Sequence, residues 1–322
     1  ESVCIGPPSA AQSYLSIPAI IAACEITGAD AVHPGYGFLS ENAKFADILN
    51  AHNICFIGPK ADHIRLMGDK IAAKAKAIEL GIPVVPGSDG EVKTSDDALE
   101  LSRDMGFPVL VKAASGGGGR GMKIAHSEGE LAEAFTTARS EAKAAFGDDA
   151  VYIEKYLEKP RHIEIQVACD SHGNAVHLGE RDCSLQRRHQ KVLEEAPSMV
   201  LDSAARAAIG KIVTDAMEGM QYLGVGTVEF LYEDGEFYFI EMNTRLQVEH
   251  PVTEMITGID LVREQIRIAN GERLSFSQDD LTLSGHAIEC RINAEDPDRN
   301  FMPQAGTVED YRIPGGLGVR VD

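Results

Sequence analysis

The stretch that decides the fold is a strand followed by a dense polar run, Phe239-Ile240-Glu241-Met242-Asn243-Thr244-Arg245-Leu246-Gln247-Val248-Glu249-His250-Pro251. It holds two carboxylates, two carboxamides, a guanidinium and an imidazole within thirteen residues. It follows a hairpin whose other strand, Thr227-Val228-Glu229-Phe230-Leu231, carries a carboxylate among apolar residues. An unpaired carboxylate in such a strand is costly, so we expect a bound cation near Glu229 and Glu241. Because Glu229, Glu241 and Asn243 offer only oxygen ligands, the sequence favours Mg²⁺ or Mn²⁺ over Zn²⁺.

The length of the hairpin turn decides whether these side chains converge. Side chains alternate faces along a strand, so Glu241 and Asn243 share a face. A two-residue Asp234-Gly235 turn would put Glu229 on the opposite face, whereas a three-residue Glu233-Asp234-Gly235 loop would put all three side chains on one face. We therefore predict the three-residue loop.

Composition restricts the class of protein. With 322 residues, of which 44% are hydrophobic and 25% charged, we expect two or three globular domains. No apolar run approaches the ~20 residues of a membrane span, and the net charge of -20 argues against a nucleic-acid surface. Six cysteines without CxxC spacing indicate reduced thiols, which predicts a cytoplasmic protein.

The pattern of elements predicts α/β and α+β architecture. Residues 1–66 alternate helix and strand, which is typical of a parallel α/β domain, and residues 67–84 form a helical linker. Residues 85–157 form a compact subdomain around a glycine-rich loop, and residues 158–322 form a lobe that is mostly sheet. Among the individual elements we predict a helix Ile17–Thr27 ending at Gly28, a helix 95–105 and a strand 236–243.

The glycine-rich loop Ser115-Gly116-Gly117-Gly118-Gly119-Arg120-Gly121 lies between two predicted strands. The Walker pattern and a following helix are missing, so this loop is not a P-loop. Glycine lets backbone N–H groups approach phosphate closely, although a flexible hairpin tip has the same composition. Lys112 at the end of the preceding strand, an isolated point charge, favours phosphate binding. We expect residues 115–121 to form a lid that is mobile without ATP and ordered with it.

Other polar positions have ordinary structural explanations when taken alone. The segment Glu154–Leu157 is either an adenine-binding hinge or a connector. Lys191 is compatible with a salt-bridged surface turn, and histidines such as His162 and His189 are more often structural than ligating. Nothing in the sequence indicates a lowered thiol pKa at Cys183, so we do not predict a nucleophile there.

Longer motifs resemble biotin carboxylase, an enzyme of the ATP-grasp fold, essentially from end to end. They are His33–Asn42, Gly116–Met122, Arg181–Lys191 and Glu241–Pro251. Two further stretches, Glu249–Asp260 and Cys290–Asp296, look most like the biotin carboxylase component of acetyl-CoA carboxylase, with the pyruvate and propionyl-CoA carboxylases as alternatives. The family begins with another strand–helix unit and continues beyond Asp322. We therefore expect an incomplete first domain and an incomplete C-terminal lobe in this chain.

The resemblance implies a reaction in two steps, in which ATP phosphorylates bicarbonate to carboxyphosphate and the carbon then passes to biotin. The implied ATP contacts are Lys70, Lys112, Gly118, Gly119, Glu154, Lys155, Tyr156, Leu157, His162, His189, Glu229 and Glu241. The implied ligands of two Mg²⁺ or Mn²⁺ ions are Glu229, Glu241 and Asn243. The implied bicarbonate pocket is Lys191, Arg245, Gln247 and Val248, of which Lys191 and Arg245 are also catalytic, with Glu249 as general base and Arg291 as a biotin contact.

The resemblance also implies partners. These are a biotin carboxyl carrier protein, a carboxyltransferase component and, in the full-length protein, a second copy of the chain, with no nucleic acid and no membrane. Two other functions stay open from the residues. Another ATP-grasp carboxylate–amine ligase would share Lys112, Gly118 and Glu241 without needing Lys191, Arg245 and Glu249 in this arrangement. A non-catalytic ATP-grasp fragment would bind nucleotide without turnover.

Overall fold

The structure is a computed structural model that describes residues 2–113, 122–146, 148–188 and 190–322. It forms two compact units, Glu1–Glu289 and Cys290–Asp322. No helix in the described part of the chain is long enough and apolar enough to cross a membrane.

The N-terminal segment combines two short parallel strands with helices, as the alternating pattern predicts. Its elements are α1 (Ile17–Thr27), β1 (Ala31–Val32), α2 (Ala43–Ala51), β2 (Cys55–Phe56), α3 (Ala61–Gly68) and α4 (Lys70–Glu79). The predicted end of α1 is confirmed, because Gly28 adopts the left-handed conformation with φ 66°. Asn42 caps α2 by accepting a hydrogen bond from the Phe45 N–H at 2.9 Å.

The next segment is a three-stranded antiparallel sheet in the order β4-β3-β5, covered by two helices. Its elements are α5 (Ser95–Met105), β3 (Val109–Ala113), β4 (Met122–Ala125), α6 (Glu128–Phe146) and β5 (Val151–Lys155). Val109, Val111 and Ile153 point into the core with the helices. Lys112 and Glu154 alternate with these residues and therefore lie on the other face.

A six-stranded sheet in the order β10-β9-β6-β7-β8-β11 carries most of the predicted site. This segment consists of β6 (Arg161–Cys169), β7 (Ala175–Arg187), β8 (Gln190–Ala196), α7 (Ser203–Met220), β9 (Gly224–Glu233), β10 (Glu236–Asn243), α8 (His250–Thr257), α9 (Leu261–Ala269) and β11 (Ala287–Cys290). The surface-turn interpretation of Lys191 is wrong, because this residue lies in β8, which pairs with β7.

The sheet has one apolar face and one polar face. Ile163 and Ile165 on β6 and Val228 and Phe230 on β9 pack with Val213 of α7 in one core. Side chains that alternate with these residues point to the other face, where the sequence places polar groups instead of apolar ones. That polar set is Glu164, Gln166, Thr227 and Glu229, all of them buried.

The β9–β10 hairpin shows that the predicted three-residue loop is wrong. Glu233 pairs with Glu236, so the turn is Asp234-Gly235, with φ 52° and 91°, the left-handed values that such a turn requires. The register then shifts between Phe239 and Glu241, where one extra residue forms a bulge. Beyond the bulge Glu241 pairs with Glu229 and Asn243 with Thr227. Glu229, Glu241 and Asn243 therefore share a face, by a different route from the one predicted.

The second unit contains one short antiparallel pair, β12 (Glu295–Asp296) and β13 (Met302–Pro303), joined by the 3-10 turn Pro297–Arg299. Its side chains from Met302 onwards are exposed. Arg291, the predicted biotin contact, belongs to this unit.

Candidate active site

A lysine surrounded by three buried carboxylates lies on the polar face of the large sheet. Lys191 Nζ donates to Glu164 Oε2 at 2.5 Å, to Glu249 Oε1 at 2.7 Å and to Glu229 Oε1 at 3.1 Å. The sheet register creates this arrangement, because Glu164 and Glu229 are direct partners on β6 and β9, and Glu249 is the cap residue before α8. All three N–H donors of the ammonium group are thereby engaged.

Burial and ion pairing act in opposite directions on the charges of this cluster. Burial opposes the ionisation of Glu229, but the hydrogen bond from His162 and the charge of Lys191 hold the pKa of Glu229 at about 2. Burial also opposes the charge on Lys191, yet the neighbouring Glu164 foremost raises the pKa of Lys191 above its ordinary value. Both groups are therefore charged at neutral pH.

His162, a predicted ATP contact, is joined to this cluster. Its Nε2 lies 2.7 Å from Glu229 Oε2, and its Nδ1 lies 3.2 Å from Gln186 Nε2. The amide nitrogen of Gln186 can only donate, so Nδ1 accepts and Nε2 carries the proton. The imidazole is therefore held in one orientation between two side chains.

Glu229 and Glu241 are two carboxylates directly opposite each other on β9 and β10. Opposed like charges destabilise a strand pair unless a positive charge offsets them. Glu229 accepts hydrogen bonds from Gln247 Nε2 and Asn243 Nδ2, both at 2.7 Å, as well as from Lys191. Within the described residues the Glu241 carboxylate has neither a hydrogen bond nor an ion pair. This oxygen donor set fits a hard divalent cation, and the Glu241 carboxylate is the ligand to which no described residue is bonded.

The Arg245 side chain contacts both a predicted metal ligand, Asn243, and a residue of the N-terminal segment, Glu41. Its Nη2 donates to Asn243 Oδ1 at 2.7 Å, and its Nε donates to Glu41 Oε2 at 2.8 Å. The other oxygen of Glu41 accepts the Thr244 N–H at 3.1 Å. Glu41 belongs to the His33–Asn42 motif, although its own role was not predicted. That motif contributes an acidic side chain that orients Arg245.

Gln247 supports the cluster through both ends of its side chain. Its amide nitrogen donates to Glu229, and its Oε1 accepts from Arg181 Nη2 at 2.7 Å. The side chain is buried and is already bonded, so it does not offer a free donor to an anion. No described residue accepts a hydrogen bond from the backbone N–H groups of Gln247 and Val248, which leaves these two donors for an anion.

Lys112 is not the isolated charge that the sequence predicted. Its Nζ lies 2.5 Å from Glu154 Oε2, while Lys74 Nζ lies 2.9 Å from the other oxygen of the same carboxylate. Burial raises the pKa of Glu154, but the charges of Lys112 and Lys74 outweigh it and hold that pKa below its ordinary value. Lys74 was not predicted as a site residue.

The predicted adenine hinge, Glu154–Leu157, begins at the end of β5. Two of its backbone N–H groups already donate hydrogen bonds within the protein. The Lys155 N–H donates to Pro86 O at 2.8 Å, and the Tyr156 N–H donates to Pro108 O at 3.1 Å. The Lys155 ammonium donates to the Gly106 and Phe107 carbonyls at 3.0 and 3.2 Å. No described residue accepts a hydrogen bond from the Leu157 N–H, which leaves this group available to a ligand.

Lys70, a predicted ATP contact in the first unit, is not brought into these clusters. Lys70 is the exposed first residue of α4, and Arg291 lies in the second unit. Gly118, Gly119 and His189 lie outside the described residues, as does the loop 115–121 that we predicted to be a lid.

Two buried residues of the candidate site, Glu164 and Arg181, were not predicted from the sequence. Glu164 interrupts an apolar strand in the way Glu229 does, so the signal that found Glu229 would also have found Glu164. Arg181 was part of a quoted motif, but its five acceptors come from distant parts of the chain. Cys183, also buried in this region, has a pKa raised well above its ordinary value, chiefly by burial, which agrees with its exclusion as a nucleophile.

Comparison with known proteins covers nearly the whole chain. Residues 1–64 match the biotin carboxylase N-terminal domain, residues 69–277 the carbamoyl-phosphate synthase L chain ATP binding domain, and residues 289–322 the biotin carboxylase C-terminal domain. The chain is 59% identical over 323 residues to the biotin carboxylase of a Nostoc species, covering 100% of this chain and 72% of the relative. It is 52% identical over 322 residues to a pyruvate carboxylase chain of Methanothermobacter thermautotrophicus, covering 100% and 66%.

A solved structure gives the same result at the level of the fold. The biotin carboxylase domain dimer of Hydrogenobacter thermophilus 2-oxoglutarate carboxylase matches with a TM-score of 0.82 and 50% identity, over 98% of this chain and 70% of that chain. That dimer was solved in complex with MgADP, ADP and bicarbonate.

The α/β N-terminal segment, the three-stranded subdomain and the polar face of the large sheet define an ATP-grasp enzyme, an ATP-dependent ligase. The matches to the two biotin carboxylase domains and the 59% identity to a biotin carboxylase over the whole chain identify the family within this class. The chain belongs to the biotin carboxylase family.

Proposed function

We propose that this chain carboxylates biotin on a carrier protein, using ATP and bicarbonate. The observation that carries this proposal is the 2.7 Å contact between the Lys191 ammonium and the Glu249 carboxylate in a buried cluster. A reaction on a protonated anion needs a cation to hold the anion and a base to accept its proton. These two groups provide both functions at one point.

In the first step a bicarbonate oxygen attacks the γ-phosphorus of ATP, the bond from that phosphorus to the bridging oxygen of ADP breaks, and carboxyphosphate forms. Glu249 takes the bicarbonate proton. Lys191 and Arg245 offset the repulsion between the two anions. Because an ammonium has three donors and Lys191 uses all of them on carboxylates, bicarbonate must replace one of these contacts.

For ATP, we propose that Lys112 and Lys70 bind phosphate oxygens together with Gly118, Gly119 and His189. The hinge Glu154–Leu157 binds adenine, for which the Leu157 N–H supplies a donor. The contact between Lys112 and Glu154 means that phosphate competes with a carboxylate for this lysine. His162 completes the ATP site through its contact with Glu229.

Glu229, Glu241 and Asn243 would hold two divalent cations, Mg²⁺ or Mn²⁺. Such ions neutralise the charge that develops on the transferring phosphoryl group. The chain's own contribution is to keep the two carboxylates opposed, and the low pKa of Glu229 keeps that group ionised at neutral pH. The MgADP in the 2-oxoglutarate carboxylase structure supports magnesium.

In the second step the bond between the carboxyphosphate carbon and the phosphate oxygen breaks, that carbon bonds to N1′ of biotin, and the N1′ proton leaves with the inorganic phosphate. We propose that Arg291 stabilises the biotin enolate, that a biotin carboxyl carrier protein brings biotin, and that a carboxyltransferase component takes the carboxyl group to acetyl-CoA. The relative from Methanothermobacter favours pyruvate as a second candidate acceptor. We also propose a cytoplasmic homodimer for the full-length protein, and domain boundaries at 1–66, 67–84, 85–157 and 158–322.

The test is ADP release by the full-length protein with free biotin, measured with bicarbonate and after its removal. We expect release to depend on bicarbonate. A carboxylate–amine ligase would respond to its own carboxylate and amine and not to bicarbonate. ATP binding without any turnover would instead support a non-catalytic protein and contradict the proposal.

A further inference from the structure

The guanidinium of Arg181 is fully buried next to the Lys191 cluster. Its five N–H groups all have acceptors, at distances of 2.6 to 3.2 Å: Nε to Glu164 Oε1, Nη1 to Gln166 Oε1 and Thr253 Oγ1, and Nη2 to Gln247 Oε1 and Thr227 Oγ1. Apolar side chains often fill such a space at lower free-energy cost than a buried ion pair. Core packing alone therefore does not account for an arginine here.

Three of the five acceptors lead to groups that the proposed reaction uses. Glu164 accepts from Arg181 with one oxygen and from Lys191 with the other. Gln247 accepts from Arg181 and donates to Glu229. Thr253 is on α8, the helix that begins directly after Glu249.

We infer that Arg181 is a positioning residue for bicarbonate activation, an inference that rests on the function proposed above. It acts through Glu164 on Lys191, through Gln247 on Glu229 and through α8 on Glu249. The planar guanidinium fixes the directions of five partners at once, which the flexible ammonium of a lysine does not do.

The neighbouring residue in β7 provides a matched control. Glu180 is buried and accepts from Arg206 Nε at 2.6 Å and from Arg206 Nη2 at 2.7 Å. Consecutive strand residues point to opposite faces, so this second arginine–glutamate pair lies on the face away from Lys191. Arg206→Lys therefore removes the same kind of fork without touching the cluster.

The experiment compares Arg181→Lys with Arg206→Lys in the full-length protein, by ATP-cleavage kinetics in which bicarbonate and ATP are varied separately. Arg181→Lys keeps the charge but offers at most three donors to five acceptors. We expect kcat/KM for bicarbonate to fall ~10- to 100-fold, the usual range for residues that orient a ligand-binding group, while KM for ATP changes less than ~3-fold. Arg206→Lys should leave both parameters within ~3-fold of wild type, even where it lowers Tm.

Equal losses toward bicarbonate and ATP in Arg181→Lys, or the same bicarbonate defect in Arg206→Lys, would overturn the inference and leave Arg181 as a structural ion pair. Thr253→Val covers the case in which Arg181→Lys does not fold. It removes one acceptor of Nη1 and leaves Gln166 for that nitrogen, so bicarbonate KM should rise ~2- to 5-fold with ATP KM unchanged. A wild-type bicarbonate KM in that variant would also overturn the inference.

Failure of the proposed function gives a different result. A wild-type protein without bicarbonate-dependent ATP cleavage would overturn that function, and hydrogen exchange then decides the role of Arg181. Amides of Gln247–His250 should exchange faster in Arg181→Lys and at the wild-type rate in Arg206→Lys. Unchanged exchange of this segment in a folded Arg181→Lys protein would overturn the positioning role.

Discussion

Glu241 is the direct cross-strand partner of Glu229, although a regular ladder from the Asp234-Gly235 turn would pair Glu229 with Ile240. The bulge at Ile240 restores the pairing. The apolar residues of β10 already indicate this bulge. Phe237, Phe239 and Met242 all pack in one core, whereas strict alternation would place Met242 on the face opposite to Phe237 and Phe239. That Glu229, Glu241 and Asn243 share one face therefore depends on one extra residue in β10.

If Glu241 is a metal ligand, Glu241→Gln should raise the Mg²⁺ concentration for half-maximal ATP cleavage by ~10- to 100-fold. The free energy of unfolding without metal should not fall, because the described residues provide Glu241 with no hydrogen bond to lose and the change relieves repulsion with Glu229. Magnesium titration of activity and chemical denaturation measure the two effects. Glu236→Gln, at the exposed start of the same strand, is the control, and an unchanged magnesium requirement in Glu241→Gln would exclude the ligand role.

Local signals predicted several elements to the residue. The helix Ile17–Thr27 has a glycine C-cap, and the helix Ser95–Met105 has Thr94 as its N-cap, with the hydroxyl accepting the Asp97 N–H at 3.1 Å. The strand Glu236–Asn243 also has the predicted bounds. In each case the residues that specify the ends lie within a few positions of the element, so no distant contact is needed.

The rest of the site depends on contacts between distant residues. β8 forms only because β7 continues to Arg187 and returns, and this pairing places the half-buried Lys191 among carboxylates from β6, β9 and the start of α8. Lys74 reaches Glu154 across 80 positions of sequence, and Glu41 reaches Arg245 across 204. Such partners follow from the fold and not from a local pattern.

The pairing of Lys74 with Glu154 predicts a pH-dependent effect on stability. Because the pKa of Glu154 lies below its ordinary value of 4.5, its contribution to stability is complete above that pH and is lost as the pH falls below it. Lys74→Met should lower the free energy of unfolding at pH 7 by ~0.5–1 kcal/mol, and the difference should shrink steadily below pH ~4.5. Denaturation curves at several pH values measure this. Lys76→Met, which removes an exposed pair with Glu79 on the same helix, should show almost no effect.

Glu41 should influence bicarbonate through Arg245. Glu41→Gln weakens a charge-assisted hydrogen bond that orients the guanidinium, so bicarbonate KM should rise ~3- to 10-fold while KM for ATP stays constant. The matched control is Glu25→Gln, which alters an exposed carboxylate on α1 paired with His52. Identical kinetics in Glu41→Gln and Glu25→Gln would show that Glu41 has no role in the reaction.

Glu249→Gln tests the general base. The substitution keeps the size of the side chain and removes its capacity to accept a proton. ATP affinity should stay nearly intact, because the proposed adenine contacts lie at the end of β5 and directly after it, whereas the rate of bicarbonate-dependent ATP cleavage should fall by ~10²- to 10⁴-fold. Nucleotide binding by calorimetry and ADP release measure the two quantities. Wild-type turnover in this variant would remove Glu249 from the mechanism.

Arg245→Ala tests charge stabilisation and should combine non-additively with Glu249→Gln. The guanidinium is bound to Asn243 and Glu41, so its removal takes away both a positive charge and a connection to the predicted metal ligands. Bicarbonate KM should rise or kcat should fall, because the anion loses a charged partner in a buried pocket.

Since Arg245 and Glu249 act on one bound anion, the double variant should lose less activity than the product of the two single losses. The measurement is bicarbonate-dependent ADP release for both single variants and the double variant, all in the full-length protein. If the two losses multiply, the side chains act on separate steps, and Arg245 would then serve ATP or biotin instead of the bicarbonate that Glu249 deprotonates.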